Sequence, residues 1–269
     1  MVKILQMGEP ILREVCAPVE LDHIPKDLLA DLKEAVLINQ ADIGLAFDGD
    51  ADRLGVVTDQ GEVIWPDRLM MYYAQHLLGR LPGATIAFDV KCSSQLIKVI
   101  QDAGGIAKMC PTGHSIVKGI MKESNAALAG EMSGHLFFKD RWYGFDDALY
   151  SACRLLELLS QSPDKVSTQF KTIPDSVNTP EIKIPIPEEE KFAFMSSFCE
   201  KAIFPQGEII TIDGIRVEFP HGWGLIRASN TTPCLVARFE AIDEPSLIEI
   251  QMLFKKELKK INQNLVLSF

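Results

Sequence analysis

Residues 46–57 read AFDGDADRLGVV, with Asp48, Asp50 and Asp52 at alternate positions and Arg53 directly after them. Like charges this close repel one another, so the pattern calls for a counter-charge or for full solvation. Alternate carboxylates in a turn can converge on one point, and a set of oxygen ligands suits a hard cation, Mg²⁺ or Ca²⁺, rather than zinc. A calcium EF-hand loop starting at Asp48 is excluded. It needs glycine at its sixth position, where Arg53 stands, and glutamate at its twelfth, where Asp59 stands, and its flanks should be helical. A polar turn whose acids face water is the remaining alternative; three acids in alternation beside an arginine favour the metal.

A second polar stretch, RASNTTP (227–233), lies between two apolar runs. Arg227 with Ser229, Asn230, Thr231 and Thr232 offers a guanidinium, hydroxyls, an amide and the N–H groups of a turn, which together suit a phosphate. The same residue types also build ordinary turns. Serine nucleophile chemistry finds no support: the Gly-x-Ser-x-Gly pattern fails at Ser115, where Val117 replaces the second glycine, and at Ser133, flanked by Glu131 and His135. Neither an H-E-x-x-H helix nor a Walker lysine loop occurs. His23, His76 and His221 read as surface or structural residues.

The elements that must carry these loops follow from periodicity. A helix is predicted over 24–39 and short strands over 42–47 and 54–58, on either side of the acidic loop. ATIAFDVK (84–91), GIAKMC (105–110) and AALAGE (126–131) read as strands separated by helices over 93–104 and 115–124, the alternation of a parallel βαβαβ sheet. Ligands bind beyond the carboxyl ends of such strands. That rule gathers Lys91, His114, Glu131, Ser133 and His135 at one edge. A long amphipathic helix follows over 146–162, and 162–180, rich in proline and polar residues, reads as a domain connection. The remainder alternates short strands, an Asp213-Gly214 hairpin signal and a closing helix over 244–261, an antiparallel α+β unit.

The chain has 269 residues, 47% hydrophobic and 24% charged, enough for about two domains. With 27 Lys+Arg against 37 Asp+Glu, the net charge of −10 argues against nucleic-acid and membrane-surface partners while leaving room for a local basic pocket. No run approaches a membrane span, and the first residues lack the apolar core of a signal peptide. The six cysteines, at 16, 92, 110, 153, 199 and 234, form no C-x-x-C pair, which predicts reduced thiols in a cytoplasmic protein.

FDGDADR, FDVKCS, PTGHS, GEMSGH, DRWYGFDD and GWGLIRASNTTP occur in this order, and the order resembles that of the bacterial α-D-phosphohexomutases. Met132 within GEMSGH is similar to the mannose/glucose branch, the phosphomannomutase/phosphoglucomutase type. The resemblance runs from about residue 39 to Phe269. It implies an α/β fold: a parallel βαβ domain over 66–172 that binds sugar, a smaller antiparallel α+β domain over 173–269 that binds phosphate, and a partial α/β domain at the amino end. In the last, residues 39–65 are a remnant of the family's second domain and 1–38 are foreign to the family.

The same resemblance assigns Mg²⁺ to Asp48, Asp50 and Asp52, and puts Arg53 beside the cleft. Lys91 becomes a charge stabiliser and His114 an acid/base group. Glu131, Ser133 and His135 would meet sugar hydroxyls, and Arg227 with Ser229, Asn230, Thr231 and Thr232 the phosphate that is not transferred. The implied reaction interconverts hexose 1-phosphate and 6-phosphate, of mannose or glucose, through a 1,6-bisphosphate. The family's phosphoserine motif, of the type T-A-S-H-N-P, is absent from these residues. The expectation is therefore a truncated chain, inactive alone, with a sugar-phosphate-binding module or a relic as the alternative. Residues 3–20 resemble the start of a peptide deformylase, but no E-G-C-L-S or H-E-x-x-H follows, so that activity is excluded. The segment is expected to cover the edge of the partial domain, where exposed surface makes self-association an expectation too.

Overall fold

The computed structural model describes residues 26–269. The deformylase-like segment, Cys16 and His23 lie outside the described residues. Helix α1 (Lys26–Asn39) packs on an antiparallel sheet of β1 (Ile43–Phe47), β2 (Leu54–Thr58) and β3 (Val63–Ile64), in that order. Phe47 pairs with Leu54, so the acidic loop is the β1–β2 hairpin connection and both its ends are fixed by strand register.

Helix α2 (Pro66–Arg80) comes next, and the sequence reading assigned no element there. Its core-facing residues include Leu69, Met70, Met71, Tyr72, Tyr73 and Ala74 in one unbroken run. Burial on nearly every side removes the apolar stripe by which a surface helix is recognised.

Strands β4 (Thr85–Asp89), β5 (Ile106–Cys110) and β6 (Leu128–Gly130) alternate with α3 (Ser94–Asp102) and α4 (His114–Glu123) as expected. Both β5 and β6 run parallel to β4, in the order β5-β4-β6. One correction concerns β7 (Leu136–Phe138), which adds to β6 antiparallel, so the sheet is mixed and GEMSGH forms a hairpin connection rather than a free strand end. Helix α5 (Ala148–Leu159) opens on Asp147, whose carboxylate accepts the Tyr150 N–H. The stretch 162–180 is more than a connection. It contains α6 (Val166–Phe170) and β8 (Val177–Asn178), and Phe170 and Ile173 are buried in the first core.

The second unit contains β9 (Ile182–Pro185), α7 (Glu188–Lys201), β10 (Glu208–Ile210), β11 (Ile215–Phe219), β12 (Gly222–Ala228), β13 (Cys234–Ala241) and α8 (Glu244–Ile261). Its sheet is antiparallel throughout, in the order β10-β11-β12-β13-β8, with β9 also on β13. Alternation along β12 sends Ile226 into a core shared with Phe198, Phe239, Phe254 and Leu258, while Trp223 and Leu225 face Val90 of the first unit. No helix among the described residues is long and apolar enough to cross a membrane. The five described cysteines are free.

The junction between the units is polar and buried. Register places Arg216, Leu225 and Arg238 side by side on β11, β12 and β13. Arg216 donates from Nη1 to the carbonyls of Val90 (2.5 Å) and Cys92 (2.7 Å) and from Nη2 to Ser94 Oγ (2.8 Å). Its guanidinium carbon lies 3.7 Å from the Trp223 ring centroid, a cation–π contact. Arg238 donates to the Lys91 carbonyl and, through both terminal nitrogens, to Asp67 Oδ2 at 3.2–3.3 Å. Ser93 completes the clamp, donating its N–H to Asp67 Oδ2 (3.1 Å) and its hydroxyl to Glu240 Oε1 (2.8 Å). Residues 90–94, which follow β4, are thereby held from the second unit. Asp67→Ala leaves Arg238 a buried cation without its carboxylate, and we expect a loss of about 3–5 kcal/mol, partly recovered when Arg238→Met is added to Asp67→Leu. Urea unfolding followed by tryptophan fluorescence measures it; a loss below about 1 kcal/mol, the size of an exposed pair, would show that the junction does not rest on this contact.

Candidate functional site

The acidic loop turns at Ala51, whose N–H donates to the Asp48 carbonyl at 3.2 Å and whose φ of +60° is uncommon for a residue with a side chain. This tight turn brings carboxylate oxygens of Asp48, Asp50 and Asp52 within 4.8 Å of one another. Asp48 Oδ1 accepts the N–H groups of Asp52 and Arg53, both at 3.1 Å. Arg53 Nε stands 3.5 Å from Asp48 Oδ2 and 3.8 Å from Asp52 Oδ1. Burial, assisted by the charges of Asp48 and Asp50 and opposed by His135, raises the pKa of Asp52. Asp52 Oδ1 is buried with no hydrogen-bond partner. A compact set of carboxylates with one unmet acceptor fits a hard divalent cation. Asp52, His135 and Asp146 form a second set of the same compactness, with an imidazole in place of one carboxylate.

Backbone contacts fasten this loop to the β6–β7 hairpin. Arg53 and His135 form an antiparallel bridge, and the Leu54 N–H donates to the Gly134 carbonyl at 3.2 Å. His135 Nδ1 faces Glu131 Oε2 (2.9 Å) and Ser133 Oγ (2.8 Å), while Nε2 faces Arg53 Nε (3.2 Å). Nε2 also lies 3.3 Å from Asp52 Oδ2, so the imidazole stands between a carboxylate of the hairpin and one of the acidic loop. Glu131 Oε1 also accepts the Gly113 N–H at 2.6 Å; Gly113 has φ of +138°, open only to glycine. Burial alone would raise the pKa of Glu131, but the hydrogen bonds from His135 and Gly113 hold it below the usual value. The His114 ring stacks 5.7 Å from that of His135, and its Nδ1 lies 3.1 Å from Asp146 Oδ2. Lys118 pairs with the other Asp146 oxygen at 3.0 Å. With its side chain 53% exposed, His114 is the open group of this cluster.

Lys91 is buried, with Nζ 2.6 Å from Glu181 Oε1 and 3.8 Å from Asp89 Oδ2. Burial works against its charge, but the two carboxylates outweigh it and hold the pKa above that of an ordinary lysine. Asp89, at the end of β4, accepts from Met132 N–H and Thr112 Oγ1, both at 3.0 Å, and so ties together the loops after β5 and β6. In the second unit, Arg227 is buried; its Nε donates to Asp213 Oδ2 at 2.9 Å and its Nη2 has no partner. Ser229 Oγ accepts the N–H groups of Thr231 (3.4 Å) and Thr232 (3.1 Å) and lies 2.8 Å from Thr232 Oγ1. Buried Lys191 supports the turn from behind, donating to the Thr232 carbonyl at 3.2 Å. Asn230 and Thr231 are exposed at its rim.

The structure joins many of the sequence-selected residues into one network and leaves others at its edge: Asp50 is exposed and adds only a nearby carboxylate, and Ser229, Thr231 and Thr232 bond within their own unit, with Asn230 reaching Thr112. Asp48, Asp52 and Arg53 meet His135, Glu131, Ser133 and His114; Asp89 links these to Lys91; and Thr112 with Asp213 links them to Arg227. Sequence reasoning passed over Asp89, Lys118, Asp146, Glu181 and Asp213. Two of these carried a signal: Asp89 is a charge within an apolar strand, and Lys118 follows His114 by four residues on one helix face. Glu181 and Asp213 reach the network only through the folded chain.

Comparison with known proteins gives the arrangement a family. Residues 65–177 match the phosphoglucomutase/phosphomannomutase alpha/beta/alpha domain III, and residues 181–257 match the phosphoglucomutase/phosphomannomutase C-terminal domain. The chain is 51% identical over 252 residues to a phosphomannomutase/phosphoglucomutase of Pseudomonas syringae pv. tomato, covering 94% of this chain and 53% of that protein. It is 52% identical over 244 residues to a phosphoglucomutase of Neisseria meningitidis serogroup A, covering 90% of this chain and 52% of that protein. A crystal structure of a phosphoglucomutase/phosphomannomutase family protein from Burkholderia thailandensis superposes with a TM-score of 0.87 at 45% identity, covering 93% of this chain and 53% of that one. The chain spans about half the length of the curated relatives it matches. On these matches and this fold, the chain belongs to the phosphoglucomutase/phosphomannomutase family and carries its domain III and C-terminal domain.

Proposed function

We propose that this chain grips hexose phosphates, of glucose or mannose, for a reversible exchange between the 1- and 6-phosphates through a 1,6-bisphosphate. The observation that carries the reading is Arg227 Nη2, a buried guanidinium nitrogen without a partner, in the same network as the polar groups of the GEMSGH hairpin. A guanidinium edge wants a paired oxyanion; carboxylate, hydroxyl and imidazole groups such as Glu131, Ser133 and His135 suit sugar hydroxyls. In this assignment Arg227, Ser229, Asn230, Thr231 and Thr232 hold the resting phosphate. Lys91, kept charged by its two carboxylates, balances charge at the reacting oxygen. His114, oriented by Asp146 and open to solvent, takes or returns the proton of the attacking hydroxyl.

Asp48, Asp50 and Asp52 would hold Mg²⁺, which when bound withdraws charge from a transferring phosphoryl group. Arg53 sets the hairpin against that loop and lies beside the sugar. We assign residues 39–65 to an edge of the family's second domain, 66–172 to the sugar-binding domain and 173–269 to the phosphate-binding domain, in a protein acting in the cytoplasm. The phosphoryl donor is supplied from outside these 269 residues, which contain no T-A-S-H-N-P-type segment.

Calorimetry with glucose 1-phosphate should show binding that weakens at least ~10-fold in Arg227→Ala, the cost of a charged hydrogen bond; an unchanged affinity would remove Arg227 from the phosphate site. A coupled mutase assay with glucose 1-phosphate, Mg²⁺ and a trace of glucose 1,6-bisphosphate should show no turnover by the chain alone. Turnover that vanishes in Asp50→Asn would reveal a phosphoryl-accepting group within these residues. Titration with Mg²⁺ alone should show one ion bound by the wild type and none by Asp50→Asn; no uptake by the wild type sinks the assignment of the carboxylate loop.

A further inference from the structure

Asp213 lies in the β10–β11 turn, outside every residue assigned above to sugar, phosphate or metal. One of its oxygens, Oδ2, accepts from Arg227 Nε at 2.9 Å and from the Thr112 N–H at 3.0 Å. A single carboxylate oxygen therefore joins the phosphate-type arginine of the second unit to the loop after β5 in the first. Resting on the hexose-phosphate reading, we propose that Asp213 is a positioning residue that fixes the spacing between the phosphate grip and the sugar grip, and so selects ligands by the distance from phosphate to ring hydroxyls.

Three features support this. The Arg227 side chain is planar at its end, so engaging Nε fixes the direction of the remaining edge, and that edge holds the unpartnered Nη2. On the other side, the loop carrying Thr112 is tied to the sugar-type groups. The Thr112 hydroxyl donates to Asp89 and the next N–H, of Gly113, donates to Glu131, while Asn230 Nδ2 lies 3.5 Å from the Thr112 carbonyl. The turn itself is shaped for this contact: Gly214 has φ of +74°, and a side chain there would collide with the Ile226 carbonyl and with Arg227. Glycine lets the turn lie flat against β12, which brings the Asp213 carboxylate to Arg227.

A ligand that spans both grips gains from their fixed separation, as a bivalent ligand gains from a linker of matched length. An ion that occupies the phosphate grip alone gains nothing from it. Asp213→Ala should therefore weaken glucose 1-phosphate about 10-fold while changing inorganic phosphate by less than about twofold. Asp213→Asn retains an oxygen that can accept both N–H groups and should stay within about twofold of wild type for the sugar phosphate. Amide hydrogen exchange at Thr112, read without ligand, should accelerate in Asp213→Ala and stay slow in Asp213→Asn. If wild type binds both ligands and Asp213→Ala weakens them equally, or leaves glucose 1-phosphate unchanged, the inference is overturned alone. If wild type binds neither, the hexose-phosphate reading falls and takes this inference with it.

Discussion

The buried contact between Arg238 and Asp67 is what the rest of the site depends on. Two desolvated charges add little net stability compared with apolar packing, but either one without the other is costly, so the pair penalises every register of the two units except the one observed. That register sets Arg216 on the Val90 and Cys92 carbonyls, and Arg238 on the Lys91 carbonyl. The carbonyls of residues 90–92, just beyond β4, accept from no neighbouring strand, and here the arginines of the other unit satisfy them. The Lys91 backbone is thus placed by β13 while its ammonium is placed by Glu181, at the start of the second unit. The position of the site's lysine is a consequence of docking two sheets, and the sugar-type and phosphate-type loops share one frame because of it.

Electrostatics inside that frame runs against the chain's overall charge. A protein with net charge −10 nevertheless gathers Lys91, Arg227, Arg53, His114 and Lys118 around one region. Each has a carboxylate beside it: Glu181, Asp213 and Asp146 from distant parts of the chain, and Asp48 from the same loop as Arg53. For buried Lys91 the carboxylates outweigh the cost of burial and hold its pKa up, and across the group the pairing orients the side chains before any ligand arrives. Two atoms stay unmet, with opposite demands. Arg227 Nη2 requires an acceptor, and Asp52 Oδ1 requires a cation or a donor. On the function proposed above, a phosphate at one end and a divalent cation at the other would answer both demands.

Much of this was legible in the residues. The strands before Lys91, His114 and Glu131 announced themselves as short apolar runs alternating with helical segments, and the parallel-sheet rule brought their carboxyl ends together. The alternate aspartates marked a convergent turn. What escaped had physical causes. Helix α2 is buried on nearly every side, with only Gln75, Gly79 and Arg80 exposed, so periodicity had little polar face to reveal it. Strand β7 is three residues long and lies against β6 through a hairpin, leaving too short a pattern to read. The 162–180 stretch looked like a linker because its prolines and polar groups are real, yet Phe170 and Ile173 anchor it in the core. Asp213 read as a turn residue, which it is; its second task depends on Thr112, a hundred positions away along the chain, and no local pattern encodes such a meeting.

The kinds of bond that join the loops determine which of them move together. The acidic loop is fastened to the first unit by main-chain hydrogen bonds, Leu54 to Gly134 and Ala148 to Ala51. A side-chain change cannot remove these, so the metal-type loop and the GEMSGH hairpin behave as one body. The second unit meets the first largely through polar side chains, those of Asp213, Asn230, Arg216 and Arg238. Side-chain contacts can lengthen by a few tenths of an ångström without breaking a ladder, whereas strand register cannot shift by less than a residue. The spacing between phosphate-type and sugar-type groups is therefore the distance in the site that side chains hold, Asp213 among them, while metal and sugar loops keep a relation set by main-chain bonds.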